Sequence, residues 1–180
     1  AHAKPVVVLK AGRNEVGNRL ALTHSATVVG SDEVFDAALR RAGAVRVQSF
    51  VQLFSAAKCL ASRYRPTGKR LGIISNGGGP GVLAADWVSA LKLQLGVLGE
   101  AAQAELLPLL PSKADLSGLM DLSEDAQPEH YRLTLTKALS DRQIDGVLVI
   151  CAPKPGLDAL GIAQAVADCK PLVHKPLIVC

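Results

Sequence analysis

Short apolar runs that alternate with helical stretches constrain the fold of this chain more than any other feature. Residues 6–9, 71–75 and 146–151 are rich in aliphatic side chains, and a stretch with helical spacing lies downstream of each. Runs that are apolar on both faces are typical of parallel strands covered by helices, and the crossover connections between such strands are right-handed. The alternation therefore predicts an α/β fold of two doubly wound, mostly parallel units, the first of them truncated.

Capping residues indicate where several helices begin and end. Ser31 precedes a helix predicted over residues 32–42, and Gly43 follows it. Ser49 precedes a second helix, predicted over residues 50–62. Serine favours the N-cap position because its hydroxyl accepts a hydrogen bond from a free N–H, and glycine favours helix ends.

The same patterns predict the remaining elements. Residues 14–21 form a weak helix that is followed by a loop over 23–30. In the second half we expect helices over 82–91, 100–107, 129–140 and 157–168, strands over 94–98 and 176–180, and an irregular connection over 109–127.

A polar, basic stretch divides the chain. Residues 63–69 (RYRPTGK) contain a proline and a glycine and lack an apolar periodicity, which is typical of a linker. We therefore predict one domain over residues 1–62 and a second over residues 70–180, and the second contains a glycine-rich segment at residues 76–81. The chain starts and stops close to strands, so we expect it to be part of a longer protein.

Charge and cysteine usage narrow the function classes. The net charge is +4, without a long basic run or interleaved aromatics, so nucleic-acid binding is not indicated. The four cysteines form no Cys-x-x-Cys pair, and no apolar run is long enough to span a membrane or resembles a signal peptide. We expect a cytoplasmic protein without a nucleic-acid or membrane partner.

A glycine-rich segment, Asn-Gly-Gly-Gly-Pro-Gly, joins the strand predicted at 71–75 to the following helix. Glycines permit a sharp turn that exposes backbone N–H groups, and a helix N-terminus carries about half a positive charge. The segment therefore predicts a phosphate or anion site, although a tight turn that binds nothing has the same pattern. The expected contacts are Asn76, Gly77, Gly78, Gly79 and Gly81.

His24 is the second candidate, because it lies among small residues in a predicted loop. Imidazole titrates near neutrality and can act as a nucleophile or a proton carrier. A loop histidine without a chemical role fits the same pattern. The other three histidines lack supporting context and the four show no metal-ligand spacing, so we predict no metal site.

Two further groups of charged residues leave alternatives open. Lys10 and Arg13 follow the first predicted strand, where they could hold an anion or be solvated. Acidic residues gather at Asp121, Glu124, Asp125 and Glu129. They could bind a cation, or they are solvated loop residues.

Several stretches together match a known family in order and spacing. They are residues 4–13 (KPVVVLKAGR), 23–32 (THSATVVGSD), 35–47 (FDAALRRAGAVRV), 53–57 (LFSAA), 71–86 (LGIISNGGGPGVLAAD) and 144–150 (IDGVLVI). In these stretches, which extend over nearly the whole chain, the sequence resembles NDP-forming acyl-CoA synthetases, relatives of succinyl-CoA synthetase.

The resemblance implies flavodoxin-like units and a reaction that converts acyl-CoA, NDP and phosphate to the acid, NTP and CoA through a phosphohistidine. His24 matches the phosphorylated histidine, and the segment beginning at Asn76 matches a helix terminus that holds it. Residues 1–62 correspond to the end of the histidine-bearing domain.

The family also implies components beyond this chain. We expect CoA or acyl-CoA, ATP or ADP, and Mg²⁺ to be cofactors of the full-length protein, with none bound firmly by these 180 residues. The expected partners are a CoA-binding Rossmann domain and an ATP-grasp domain or subunit, in an oligomer. These residues alone should have no synthetase activity.

Two departures from the family pattern keep a second function open. The Thr-Gly pair after the family's histidine is Ser25-Ala26 here, and Asn-Pro-x-Asp is Gly-Leu-Met-Asp at residues 118–121. Residues 121–131 (DLSEDAQPEHY) and 45–48 (VRVQ) are similar to the synthetase-like region of Pat-type GNAT protein lysine acetyltransferases. That resemblance implies, as the alternative, a non-catalytic regulatory module that senses acyl-CoA.

Overall fold

The computed structural model describes residues 4–25, 30–61 and 65–180, with the backbone alone at 24 and 25. The chain divides into two units, Ala1–Ser62 and Arg63–Cys180. In both units the strands pair in parallel, which confirms the predicted α/β class.

Within residues 4–25 and 30–61, the first unit has two strands and three helices. Their bounds are β1 Val7–Leu9, α1 Glu15–Ser25, α2 Asp32–Ala42, β2 Val45–Val47 and α3 Phe50–Leu60. The strands pair with Val7 opposite Val45. Val47 is the one buried hydrophobic residue among those described in this unit. A two-stranded sheet alone supplies little core, so this unit has little apolar burial of its own.

The ends of α2 and α3 follow their capping residues. The Ser31 hydroxyl accepts a hydrogen bond from the N–H of Val34, and the Ser49 hydroxyl accepts one from the N–H of Gln52 at 3.2 Å. Gly43 ends α2 with φ +70°, a conformation that glycine adopts without steric cost. The predicted bounds of α2 are confirmed, and α3 ends two residues before the predicted position.

Helix α1 extends farther than the sequence pattern indicates. A helix was expected over residues 14–21 with a loop from residue 23, but Thr23 and His24 lie in the last turn of Glu15–Ser25. The Thr23 hydroxyl donates to the carbonyl three residues earlier at 2.8 Å. This bond satisfies the hydroxyl within the helix, so threonine does not end it. Residues 26–29 of the predicted loop lie outside the described residues.

Within residues 65–180, the second unit has five strands and four α-helices. The strands are β3 Arg70–Ser75, β4 Gln94–Leu95, β5 Met120–Asp121, β6 Gly146–Ile150 and β7 Leu177–Val179. The helices are α4 Gly78–Ala90, α5 Glu100–Leu106, α6 Pro128–Ser140 and α7 Ala159–Asp168, with short 3-10 helices at Leu107–Leu109 and Lys170–Leu172.

Strand β3 lies at the centre of this parallel sheet. The order is β4–β3–β6–β7, and β5 also pairs with β3, at the opposite end of that strand from β4. The pairing places Ile74 opposite Met120 and Ser75 opposite Asp121. The end of β5 is thereby brought beside the end of β3.

The core of the second unit forms between the sheet and its helices. Strand residues Ile74, Val147 and Val149 are buried together with Leu135 and Leu139 of α6. Each large apolar side chain buried in this way stabilises the fold by about 1.5–3 kcal/mol. The candidate site lies at the ends of strands that this core packs against α6.

Two expectations for the second unit were wrong in detail. The connection predicted as irregular over 109–127 contains β5, whose two residues are too few to give a periodic signal. Strand β4 ends at Leu95 rather than residue 98. The helix predicted after proline is confirmed, because Pro128 is its first residue, where no N–H is needed.

Candidate functional site

A cleft of 370 Å³ lies at the carboxyl edge of the second unit's sheet. Apart from Lys113, which precedes β5, it is formed by residues at or just after the ends of β3 and β5, which the parallel pairing places side by side. Open α/β sheets bind their ligands at this edge. The lining residues are Asn76, Gly78, Lys113, Asp121, Ser123, Glu124 and Asp125.

The glycine-rich segment forms the first turn of α4 rather than a loop before it. Gly77 is the N-cap and Gly78 the first helical residue. The Gly77 N–H donates to the Ser75 hydroxyl at 3.1 Å, and the Gly81 N–H donates to the Gly77 carbonyl at 3.2 Å. The backbone N–H groups of Gly77 and Gly81, both predicted to contact an anion, are therefore already hydrogen-bonded within the protein. The helix start expected at residue 82 was wrong, because a first turn has unpaired N–H groups and tolerates glycine and Pro80.

Two amides at the start of α4 remain available to a ligand. Within the part of the chain that the structure describes, the N–H groups of Gly78 and Gly79 donate to no acceptor. The helix is 13 residues long, so its N-terminus carries about half a positive charge. With Gly78 lining the cleft, this end of α4 can bind an anion.

The side chain of Asn76 is engaged with the protein itself. Its Oδ1 accepts from the Tyr131 hydroxyl at 2.9 Å and from the Ala152 N–H at 2.7 Å, and its Nδ2 donates to the Ala152 carbonyl at 3.0 Å. Burial raises the pKa of Tyr131 well above its ordinary value, which keeps the hydroxyl protonated. The amide, predicted to contact phosphate, thus ties the turn after β3 to the end of β6.

Asp121 and Ser123 lie beside the start of α4. The Asp121 Oδ1 accepts from the Ser123 N–H at 2.9 Å, and its Oδ2 is 3.7 Å from the position a Cβ would take on Gly78. Ser123 has φ +68° and is 9% exposed. The sequence predicted no role for this serine. An Asp-x-Ser turn after a strand is the available signal, and it also occurs in solvated loops.

Charged side chains of both signs border the cleft. The Lys154 Nζ lies 3.7 Å from a carboxylate oxygen of Glu124 and 3.7 Å from one of Asp125. Lys113 lines the cleft on the same edge as Asp121. Because three carboxylates accompany two lysines, net charge does not favour an anion here, and oriented N–H donors are the groups that could attract one.

The histidines have different settings. His24 lies in the last turn of α1, and its side chain lies outside the described residues, so its chemical role stays a prediction. His130 Nδ1 accepts from the Gln127 N–H at 2.9 Å and caps α6. His174 Nδ1 is 2.9 Å from the Leu172 carbonyl oxygen. Among the residues described, no three His, Cys, Asp or Glu side chains are placed to bind a metal ion.

An ion-pair network occupies the carboxyl end of β1 in the first unit. Lys10 and Arg46 both contact Asp32, at 3.1 and 2.6 Å, and Arg46 also reaches Asp36 at 3.3 Å. The hydrogen bond from Arg46 is the largest cause that lowers the pKa of Asp32. Lys10 is thus engaged internally. Arg13 lines a separate 350 Å³ cleft, with Asp36 among its other lining residues.

Comparison with known proteins places this architecture in a family. Residues 1–60 match the model of the succinyl-CoA ligase like flavodoxin domain. The alpha subunit of the ADP-forming acetate–CoA ligase II of Pyrococcus furiosus is 33% identical over 171 residues, which cover 92% of this chain and 37% of that protein. The ADP-forming acetate–CoA ligase I of Archaeoglobus fulgidus is 34% identical over 166 residues, which cover 92% of this chain and 24% of that protein. The chain spans well under half of these relatives.

Solved structures agree with the sequence matches. The dinucleotide forming acetyl-coenzyme A synthetase 1 of Ca. Korarchaeum cryptofilum, in complex with phosphate and ADP, superposes with a TM-score of 0.88 at 28% identity. The match covers 97% of this chain and 38% of that one. PH0766 from Pyrococcus horikoshii has a TM-score of 0.72 at 29% identity, and the match covers 84% of this chain and 35% of that one.

The parallel sheets and these matches define a class, the α/β proteins with the flavodoxin-like fold of the succinyl-CoA ligase type. Within that class, the chain belongs to the NDP-forming acyl-CoA synthetase family. The family and fold expected from the sequence are therefore confirmed, and the likeness to Pat-type acetyltransferases stays a prediction.

In the described ranges, no helix is both long and apolar enough to cross a membrane.

Proposed function

We propose that this chain is the phosphoryl-handling part of an NDP-forming acyl-CoA synthetase. The observation that carries the proposal is the pair of unengaged N–H groups at Gly78 and Gly79, at the N-terminus of α4 beside a cleft at the carboxyl edge of the sheet. Oriented amides in such a position stabilise phosphoryl oxygens at no cost of reorganisation. Membership in a family of ADP-forming ligases supports phosphate as the anion.

In the proposed reaction, phosphate first displaces CoA from acyl-CoA and gives an acyl phosphate. A ring nitrogen of His24 then attacks the phosphorus; the P–N bond forms, the P–O bond to the acyl group breaks, and the carboxylate leaves. The Gly78 and Gly79 amides at the N-terminus of α4 stabilise phosphoryl oxygens in this proposal. Attack by a terminal oxygen of NDP breaks the P–N bond, forms NTP and restores His24.

The full-length protein would supply the remaining components. The relatives extend well beyond the matched region, which supports the proposal of a CoA-binding Rossmann domain and an ATP-grasp domain or subunit in an oligomer. CoA or acyl-CoA and ATP or ADP with Mg²⁺ would bind chiefly there. We place the enzyme in the cytoplasm and expect these 180 residues alone to turn over no substrate.

The test uses the full-length protein, Mg²⁺ and ATP labelled at the γ-phosphorus. The wild type should acquire an acid-labile, base-stable label, and His24→Ala should acquire none. His174→Ala is the matched control, because this exposed histidine should leave labelling intact. Absence of label from the wild type would refute the proposal and favour the alternative, an acyl-CoA-sensing regulatory region of a GNAT-type protein acetyltransferase.

A further inference from the structure

Ser123 presents a polar side chain whose hydroxyl has no partner within the described residues. The residue is 9% exposed and lines the cleft. Its backbone is engaged on both sides, because its N–H donates to Asp121 Oδ1 at 2.9 Å and its carbonyl accepts from the Ala126 N–H at 3.1 Å. The hydroxyl oxygen forms no hydrogen bond to any group in residues 65–180. Because Ser123 lines the cleft and its hydroxyl has no protein partner there, the hydroxyl is available to a ligand.

The backbone of Ser123 adopts a conformation that a side chain disfavours. Its φ is +68°, in the left-handed region where a Cβ crowds the backbone and where glycine would fit without cost. Lys92 also has a positive φ among the described residues, but of the two only Ser123 lines the cleft. Such strain commonly accompanies residues at functional sites.

The hydroxyl and the free amides of α4 belong to the same small region. Asp121 links them, because one of its carboxylate oxygens accepts the Ser123 N–H while the other lies 3.7 Å from a Cβ position at Gly78. Gly78 and Ser123 both line the cleft. Ser123 and Gly78 therefore lie at one cleft, and Gly79 follows Gly78 in the first turn of α4.

We propose that the Ser123 hydroxyl donates the third hydrogen bond to the phosphoryl group bound by the Gly78 and Gly79 amides. This inference rests on the proposed function and names a further ligand contact for that site. A phosphoryl group carries three terminal oxygens, so it can accept one bond from each donor.

The experiment measures binding of inorganic phosphate to the full-length protein by titration calorimetry. Ser123→Ala and Ser123→Gly should each weaken phosphate binding about tenfold, the effect of losing one hydrogen bond to a charged group. Ser123→Gly should also unfold at the same or a higher temperature than the wild type, because glycine removes the strain at φ +68°. A loss of affinity with undiminished stability separates ligand contact from a structural role.

Ser117→Ala is the matched control. Ser117 follows Asp115 in the same Asp-x-Ser arrangement, with its N–H donating to Asp115 Oδ1 at 2.8 Å, but it does not line the cleft. Its replacement should leave phosphate affinity unchanged. Unchanged affinity in both Ser123 variants, or no phosphate binding by the wild type, would overturn the inference. Serine-dependent phosphate binding without labelling of His24 would support it while refuting the phosphohistidine reaction.

Discussion

Removal of one buried hydroxyl tests how the turn after β3 is held. Tyr131 is fully buried, and its hydroxyl lies 2.9 Å from Asn76 Oδ1 and 3.0 Å from the Ile150 carbonyl oxygen. Tyr131→Phe removes this hydroxyl and keeps the ring. The hydroxyl has one proton and two acceptors, so the substitution removes at least one full hydrogen bond from the core.

The expected loss follows from those contacts. A buried hydrogen bond contributes about 1 kcal/mol net, and an acceptor left unpaired adds to the cost. Asn76 Oδ1 keeps its bond from the Ala152 N–H, so only the Ile150 carbonyl is at risk of losing its partner. We therefore expect Tyr131→Phe to lower the free energy of unfolding by about 1–2 kcal/mol.

Urea unfolding of the 180-residue protein, followed by far-UV circular dichroism, measures this difference. Thr134→Val is the matched control, because Thr134 lies on the same helix, is equally buried, and has a hydroxyl that makes no hydrogen bond within the described residues. Its replacement should be neutral or stabilising, since no bond is lost. Equal unfolding free energies for Tyr131→Phe and the wild type would refute the reasoning.

Three further predictions concern charge and backbone conformation. Arg70 lowers the pKa of Asp145 from its ordinary 3.8 to about 2. The stabilisation of the fold by this ion pair is therefore fully present above pH 3.8 and is lost as the pH falls through about 2. Asp145→Asn should therefore flatten the fall in urea stability between pH 4 and 2. Gly43→Ala should cost about 1 kcal/mol in the same assay at neutral pH, because φ is +70° there, whereas Gly30→Ala, with open space around it, should not. Asp121→Asn keeps an acceptor for the Ser123 N–H and removes a negative charge from the start of α4. It should strengthen phosphate binding to the full-length protein severalfold by calorimetry.

Distinct results would contradict each of these predictions. An Asp145→Asn protein with the wild-type acid profile would show that the Arg70 interaction carries no pH-dependent stability. Equal destabilisation by Gly43→Ala and Gly30→Ala would show that the positive φ of Gly43 does not cause the loss of stability. Weaker phosphate binding by Asp121→Asn would show that the carboxylate assists the ligand instead of repelling it.

Local features of the fold could be predicted because their causes lie within a few residues. Ser31 and Ser49 cap the helices that follow them, Gly43 ends α2, and Pro128 begins α6. Each depends on a hydrogen bond or a backbone preference that neighbouring residues specify. The parallel α/β class followed from the alternation of apolar runs with helical stretches, and the family followed from the matching stretches along the chain.

The details of the site depend on contacts between residues far apart in the chain. Asn76 was expected to bind phosphate, but its side-chain amide forms hydrogen bonds with Ala152 and Tyr131. Short strand β5 lacked a periodic signal, yet its pairing with β3 brings the Asp121 turn to the start of α4.

The sequence by itself determined an α/β chain of the NDP-forming acyl-CoA synthetase family and predicted an anion site in its glycine-rich segment, because strand periodicity, glycine content and family motifs are properties of the linear chain. Only the tertiary structure decided which donors are free. Gly77 and Gly81 have partners for their amides, whereas Gly78, Gly79 and the Ser123 hydroxyl have none in the described ranges. A hydrogen bond depends on distance and direction in space, and the parallel pairing of β3 with β5 and β6 sets both at this edge of the sheet.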